Sequence, residues 1–151
     1  MADAEDPKAL KVAHRVRDGM WARDRACQAL GMRIVDVTPG RARLTMTVRE
    51  DMLNGHQLCH GGFITTLADS AFAYACNSYD ELTVASGLSI DFLAPARLGE
   101  TLSASAHEVS KAGRTGVYDV EVCNQDGLRI AVFRGRSHTF RGRPAVPQAS
   151  A

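Results

Sequence analysis

Charge of one sign is what this chain has least of. Its 18 Lys and Arg against 17 Asp and Glu leave a formal net charge of +1, ordinary for a globular protein and too small to supply a general field for nucleic acid. Any cationic contact with a partner must be local. Long apolar runs are missing as well. Asp69, Asn77 and several hydroxyl residues interrupt the most hydrophobic segment, short of the roughly 20 apolar residues that a membrane-spanning helix needs. The start, Met1-Ala2-Asp3-Ala4-Glu5-Asp6-Pro7, is acidic and lacks the positive-then-apolar pattern of a signal peptide, so a cytoplasmic protein without membrane association is expected. Cysteine is scarce and scattered. Cys27, Cys59, Cys76 and Cys123 form no Cys-x-x-Cys pair, which argues against a zinc knuckle or a disulfide framework; they read as small apolar fillers. His56, Cys59 and His60 stand close together, but no second cluster completes a tetrahedral site and no metal is expected.

What remains is a chain of 151 residues, enough for one domain with a real core, since chains of this size bury roughly 70% of their unfolded surface. From Pro7 to about Leu30, Leu10, Ala13, Val16, Met20, Ala26 and Leu30 are spaced for one apolar face and Gly31 is placed to end it. This predicts an amphipathic helix, with a possible break at Gly19. Residues 41–48 alternate strictly, with every even position apolar, so one face of a strand is buried and one is wet. Met32–Val37 is its expected hairpin partner across Thr38-Pro39-Gly40.

Residues 61–78 are apolar on nearly every side and too long for a strand, which predicts a helix that must be enclosed. Four strands follow, at 83–95, 101–109, 116–124 and 128–140, and Asn124-Gln125-Asp126-Gly127 is a turn that should pair the last two antiparallel. That order predicts an α+β architecture, the hotdog fold: an antiparallel β-sheet wrapped around a central α-helix, with an additional N-terminal helix. The expected organisation is an N-terminal helical segment over 1–31, the hotdog domain over 32–140 and a flexible tail over 141–151.

Chemistry concentrates on the central helix. Between Asp51 and Asp80 its Asp69 is the one ionisable acid or base besides histidine, cysteine and tyrosine. A lone carboxylate in apolar surroundings is costly unless something outside the helix uses it. At the expected helix start, Gly61 and Gly62 offer outward backbone amides that favour developing negative charge. An oxyanion-binding element and a carboxylate on one helix are the combination that acyl transfer needs.

The run Asn54-Gly55-His56-Gln57-Leu58-Cys59-His60-Gly61-Gly62, followed by Leu67-Ala68-Asp69-Ser70-Ala71-Phe72 through Ser78, resembles the signature of PaaI-type hotdog thioesterases of phenylacetic acid degradation. Residues 86–96 and Leu98-Gly99-Glu100 resemble the block that follows, and the likeness extends from Met32 to Phe140. The resemblance implies hydrolysis of acyl-coenzyme A thioesters, with phenylacetyl and hydroxyphenylacetyl among the acyl groups. It implies Asp69 as general base or nucleophile, Gly61 as the amide donor to the thioester carbonyl, and Asn54 and His60 as polar partners holding the site. A water-positioning hydroxyl residue of related enzymes aligns near Ala85, which has none, and Ser86 is the neighbouring candidate.

Gly61 and Asp69 are eight residues apart, roughly 12 Å along a helix, whereas one carbonyl needs donor and base each within about 3 Å. Two chains with antiparallel helices would resolve this, so a homodimer is expected; the resemblance adds a homotetramer built as a dimer of dimers. Gly62 and Phe63, with Phe72 and Leu53, are candidates to line the substrate site, and Lys111 and Arg114, with Arg97 and Arg136, to meet the phosphates of coenzyme A. Coenzyme A enters as part of the substrate, and no cofactor is expected. The alternatives are a non-catalytic acyl-coenzyme A binding module and a hotdog dehydratase or hydratase using His60 with an acid.

Overall fold

The computed structural model describes residues 6–148. Asp6 opens the first helix: its carboxylate accepts from the Lys8 amide at 3.1 Å, and Pro7 occupies the first turn, where a missing N–H goes unnoticed. Helix α1 spans Pro7–Trp21 and buries Ala13 and Val16. The single helix expected over 7–30 is divided, and a short α2, Arg25–Ala29, begins afresh at Asp24. Gly19 stays helical. A Cβ there would lie 2.9 Å from Val146, so this glycine makes room for the C-terminal segment. The break falls at Asp24 instead, whose backbone leaves the helical region (φ −86°, ψ 80°) while its carboxylate caps α2 by accepting from the Cys27 amide at 3.0 Å. Its second oxygen accepts from the Tyr74 hydroxyl at 3.0 Å.

Next come β1 (Arg33–Thr38), β2 (Arg41–Thr47), α3 (Gly61–Asn77), β3 (Thr83–Phe92), β4 (Thr101–Ala112), β5 (Thr115–Cys123) and β6 (Arg129–Thr139). The β2 alternation is realised: Ala42, Leu44, Met46 and the following Val48 are buried, while Arg41 and Arg43 face solvent. Gly40, in the β1–β2 turn, has φ +73°, and a Cβ there would stand 2.8 Å from the Tyr79 hydroxyl, so only glycine fits. At the β5–β6 turn the Asn124 side-chain oxygen accepts from the Asp126 and Leu128 amides at 3.0 Å each, and the strands pair antiparallel as expected. β3 ends at Phe92, short of Pro95, and β4 runs past Val109 to Ala112.

The strands form one six-stranded antiparallel sheet in the order β1-β2-β4-β5-β6-β3, with α3 packed across it. This is the expected antiparallel sheet around a central helix. Phe72 of α3 fills the middle, its ring centroid 5.5 Å from that of Tyr118 and 5.9 Å from that of Phe133. Asn77 ties the helix end to the sheet: its amide donates to the Thr83 carbonyl at 3.0 Å and its oxygen accepts from the Thr83 amide at 3.0 Å. Such a closed pair satisfies a buried polar side chain.

One consequence of the strand order is that β3 is a sheet edge. Another is that α3, expected to be enclosed all round, is covered on one side. Ile64, Leu67, Ala68, Ala71 and Phe72 are buried, whereas Gly62 is exposed and Thr65, Thr66 and Asp69 are half-buried, forming a stripe of small and polar residues. Residues 141–148, read as part of a flexible tail, lie against the helices. Val146 is buried, the Ala145 amide donates to Asp80 at 3.1 Å, and Arg15 of α1 pairs with Asp80 at 2.7 Å. Residues 1–5 and 149–151 lie outside the described residues. No described helix is long and apolar enough to cross a membrane.

A Cβ at Gly135 of β6 would stand 2.8 Å from the Phe72 ring, and that ring is walled in. Gly135→Ala is therefore expected to destabilise the fold by about 1–3 kcal/mol through overpacking. Gly55→Ala, with nothing within 4 Å of the new carbon, should leave the denaturation midpoint nearly unchanged. Chemical denaturation of the two variants checks the contrast.

Candidate active site

The start of α3 is built by a short turn. Leu53 and Cys59 form an isolated antiparallel bridge, and inside it the Asn54 side-chain oxygen accepts from the His56 and Leu58 amides at 2.9 and 3.1 Å. Asn124 makes the same pair of bonds in the β5–β6 turn. Asn54 is thus an Asx-turn residue in its own right, and its side-chain oxygen is spent on that turn. The turn aims the chain back: the Cys59 amide donates to the Ala96 carbonyl and the His60 amide to the Met52 carbonyl, each at 2.8 Å.

His60 then caps the helix. Its Nδ1 accepts from the Gly62 amide at 2.9 Å, which requires an unprotonated Nδ1 and assigns the ring proton to Nε2. The Phe63 amide is taken by the His60 carbonyl at 3.0 Å. Of the first three helical amides, those of Gly62 and Phe63 are taken and that of Gly61 finds no acceptor among the described residues. The two glycines read together in the sequence therefore separate: Gly62 N–H is occupied, and Gly61 N–H is open at the positive end of a helix of 17 residues.

That amide borders an open pocket of about 460 Å³ lined by Asn54, Leu58, Cys59, Gly61, Ile64 and residues 92–96. The lining is largely apolar on one side and polar at the helix start, the character of a site for a group with an apolar tail and a carbonyl. Cys59 is a weak nucleophile here, since burial pushes its thiol up to about 11. Phe92 and its neighbours were not legible as lining from sequence. Their signal is the same-face alternation Leu88, Ile90, Phe92 on β3, which matters only once β3 is known to be an edge.

The remaining candidates lie apart from this pocket. Phe63 is half-buried with its ring edge-on to His60 at 6.3 Å, and Phe72 belongs to the core. Ser86 is the extra residue of a bulge in β3 and donates to the Arg136 carbonyl at 3.2 Å. Lys111 sits 4.0 Å over the Tyr79 ring and 3.9 Å from Glu81, beyond the C-terminal end of α3, and Arg114 lies in the same β4–β5 hairpin. No group of three or more His, Cys, Asp or Glu side chains comes together among the described residues.

Asp69 occupies the uncovered stripe of α3, half-buried and without a hydrogen-bond partner among the described residues. Burial raises its carboxyl pKa above the ordinary 3.8. An acid that holds its proton more tightly folded than unfolded favours folding while protonated. Its penalty appears as pH rises past 3.8 and is complete above the raised folded value. Asp69→Asn, which keeps the shape and drops the charge, is therefore expected to melt at a higher temperature than the parent near pH 7. The gap should close as pH falls to about 4 and below, and thermal denaturation of both proteins across that range measures it.

The model of the thioesterase superfamily matches residues 56–131. Acyl-coenzyme A thioesterase PaaI of Escherichia coli is 48% identical over 135 residues, 89% of this chain and 94% of that protein. The solved structure of the E. coli PaaI protein superposes with a TM-score of 0.87 at 46% identity, covering 89% of this chain and 98% of that one. A Streptococcus mutans protein solved bound to acetyl CoA gives a TM-score of 0.71 at 28% identity, covering 74% and 90%. By family, fold and the open amide at the start of its central helix, this chain belongs to the thioesterase superfamily, among the PaaI-type hotdog acyl-coenzyme A thioesterases.

Proposed function

We propose that this thioesterase hydrolyses aryl-acyl coenzyme A, phenylacetyl or hydroxyphenylacetyl, to the free acid and coenzyme A at two sites shared across a homodimer. The observation that carries the reading is the pairing of one open helix-start amide at Gly61 with one unpartnered carboxylate at Asp69. The thioester carbonyl accepts from Gly61 N–H, where the helix dipole stabilises the oxyanion; loss of such a donor commonly costs about 3 kcal/mol. Asp69 of the partner subunit removes a proton from water, which attacks the carbonyl carbon, or attacks it directly to give a mixed anhydride. Collapse of the tetrahedral intermediate breaks the C–S bond and the sulfur leaves as the thiol with the proton taken from water; on the direct route water then hydrolyses the mixed anhydride, which frees the acid, restores Asp69 and supplies that proton. A carboxyl held above its ordinary pKa is the better base for this step. Water is the one co-reactant, and coenzyme A arrives with the substrate.

The aryl preference is supported by the apolar pocket beside Gly61 and by the origin of the E. coli PaaI structure in a phenylacetic acid degradation operon. The dimer is supported by two surfaces. The free edge of β3 leaves Val84, Leu88 and Phe92 40–52% exposed, and the stripe at Gly62, Thr65, Thr66 and Asp69 is small enough for a second helix to approach closely. With the helices antiparallel and Asp69 facing the partner's Gly61, the two-fold axis passes near Thr65. Asn77 then lies roughly 12 Å beyond the partner's Gly61. Lys111 and Arg114, past that end, are the groups assigned to the coenzyme A phosphates at the partner's site, a reading supported by their charge and their position beyond α3. A homotetramer pairs two such dimers.

The test uses two variants. Asp69→Asn removes the base. Gly61→Pro deletes the amide proton, and His60 already has the extended backbone (φ −59°, ψ 133°) that a following proline demands. Because its Cβ also meets the Phe92 ring at 2.9 Å, Gly61→Ala, which adds that carbon and keeps the N–H, is the control and should retain thiol release. Free-thiol release from aryl and alkyl coenzyme A thioesters should be lost in Asp69→Asn and in Gly61→Pro with the fold retained. Refolded together in equal amounts, they should regain about a quarter of parental activity, since half the dimers are mixed and each mixed dimer holds one intact site. No regain would mean that each site belongs to one chain, and no thiol release by the parent from any thioester would favour a binding module.

A further inference from the structure

Phe92 stands in an unusual place for an aromatic ring. It alternates with Leu88 and Ile90 on the helix side of β3, and its register partner is Ala131 of β6. The core aromatics on that side of the sheet, Phe72 and Phe133, are 1% and 3% exposed, but Phe92 is 52% exposed. It is therefore a wall and not a filler. What it walls is Gly61: the three atoms nearest to a Cβ built there are all Phe92 ring atoms, at 2.9, 3.2 and 3.3 Å. Both residues line the same pocket. The glycine is needed as much for its absent side chain as for its amide, because a single carbon at that point already crowds the ring.

We infer that Phe92 is the specificity-determining residue that sorts acyl groups by branching at the carbon next to the carbonyl. The inference rests on the reading of Gly61 as the carbonyl donor. A carbonyl oxygen about 2.9 Å from the Gly61 nitrogen sets the acyl α-carbon beside the ring face. A CH2 group lies flat against the ring and lets a following aryl group stack on it at the preferred offset geometry. An extra methyl on that carbon needs the volume that the ring occupies, and volume errors of one methyl group at a packed wall are worth about tenfold or more in discrimination. The selected substrates are thioesters with an unbranched α-carbon, and flat aryl-methylene acyl groups gain most.

The decisive pair of substrates is phenylacetyl-coenzyme A and 2-phenylpropanoyl-coenzyme A, which differ by that one methyl. The parent enzyme is expected to favour the unbranched thioester by about tenfold or more in kcat/KM. Phe92→Ala should lose much of its rate with phenylacetyl-coenzyme A and bring the ratio close to one. Phe92→Leu, which keeps an apolar wall and has little reason to misfold, should fall between. Gly61→Ala, which must push the ring outward, should shift the ratio in the same direction as Phe92→Ala. An unchanged ratio in active Phe92→Ala and Phe92→Leu enzymes overturns the inference. So does an unchanged ratio accompanied by dissociation in sedimentation, which would make Phe92 an interface residue alone. A parent enzyme that hydrolyses both thioesters equally well also overturns it while leaving the proposed hydrolysis intact. A parent that hydrolyses neither, nor any other acyl-coenzyme A, refutes the hydrolase reading instead.

Discussion

A distance set by helix geometry governs the rest of this molecule. The open amide at Gly61 and the unpartnered carboxylate at Asp69 are fixed on one rigid rod eight residues apart, and no rotamer of an aspartate spans the roughly 12 Å between them to meet one carbonyl. On the proposed mechanism the chain therefore carries two halves of different sites. Two features of its surface fit that division. The stripe of α3 around Asp69 is small and polar where a solitary helix over a sheet would be solvated by long charged side chains. The edge strand β3 keeps exposed apolar residues, where a strand meant to face water is usually blunted with charge.

The open amide is itself a product of selective capping. The first turn of any helix presents several unsatisfied N–H groups, and a serine or aspartate cap would satisfy one of them from in front. Here the cap is the imidazole of His60, which takes the second amide, while the carbonyl of the same residue takes the third. The first amide is left over. The Asn54 turn holds this arrangement from behind, locking residues 54–58 so that the Cys59 and His60 amides anchor to Ala96 and Met52. Asn54 and His60 thus shape the backbone at the start of α3, and under the proposed function that is how each would support the site.

Much of the fold was legible because it depends on local pattern. The even-numbered apolar residues of β2, the Asn124-to-Gly127 turn and the long, largely apolar stretch after Gly61 each specify one element with little competition. What was illegible depends on partners distant in the chain. Gly19 looked like a helix breaker because nothing nearby shows that Val146 will pack on it, and the true break at Asp24 is set by Tyr74, 50 residues away. The last turn of chain is held down by Asp80, again at long range. The pocket lining was misjudged for the same reason. Phe72 and Phe92 are indistinguishable as apolar residues in sequence, and only the strand order, with β3 at the edge beyond β6, decides that one is core and the other borders open space.

Asp69 shows what the proposed arrangement asks of the fold. Burial without a partner disfavours its charged form, and the chain offers no hydrogen bond among the described residues to offset the loss. A sequence selected for stability alone would place alanine or asparagine there. The neighbouring bonds show that the structure is capable of satisfying polar groups at this depth: Ser70, the next residue, accepts from the Cys27 thiol and donates back to the Thr66 carbonyl, and Tyr74 is held by Asp24. The N-terminal helices α1 and α2 are thus fastened to the flank of α3 immediately beside Asp69, yet leave that one carboxylate free. A carboxylate without a protein partner among the described residues, beside bonded neighbours and on the face of the helix that its own sheet does not cover, is what the proposed mechanism needs from the other side of a dimer seam.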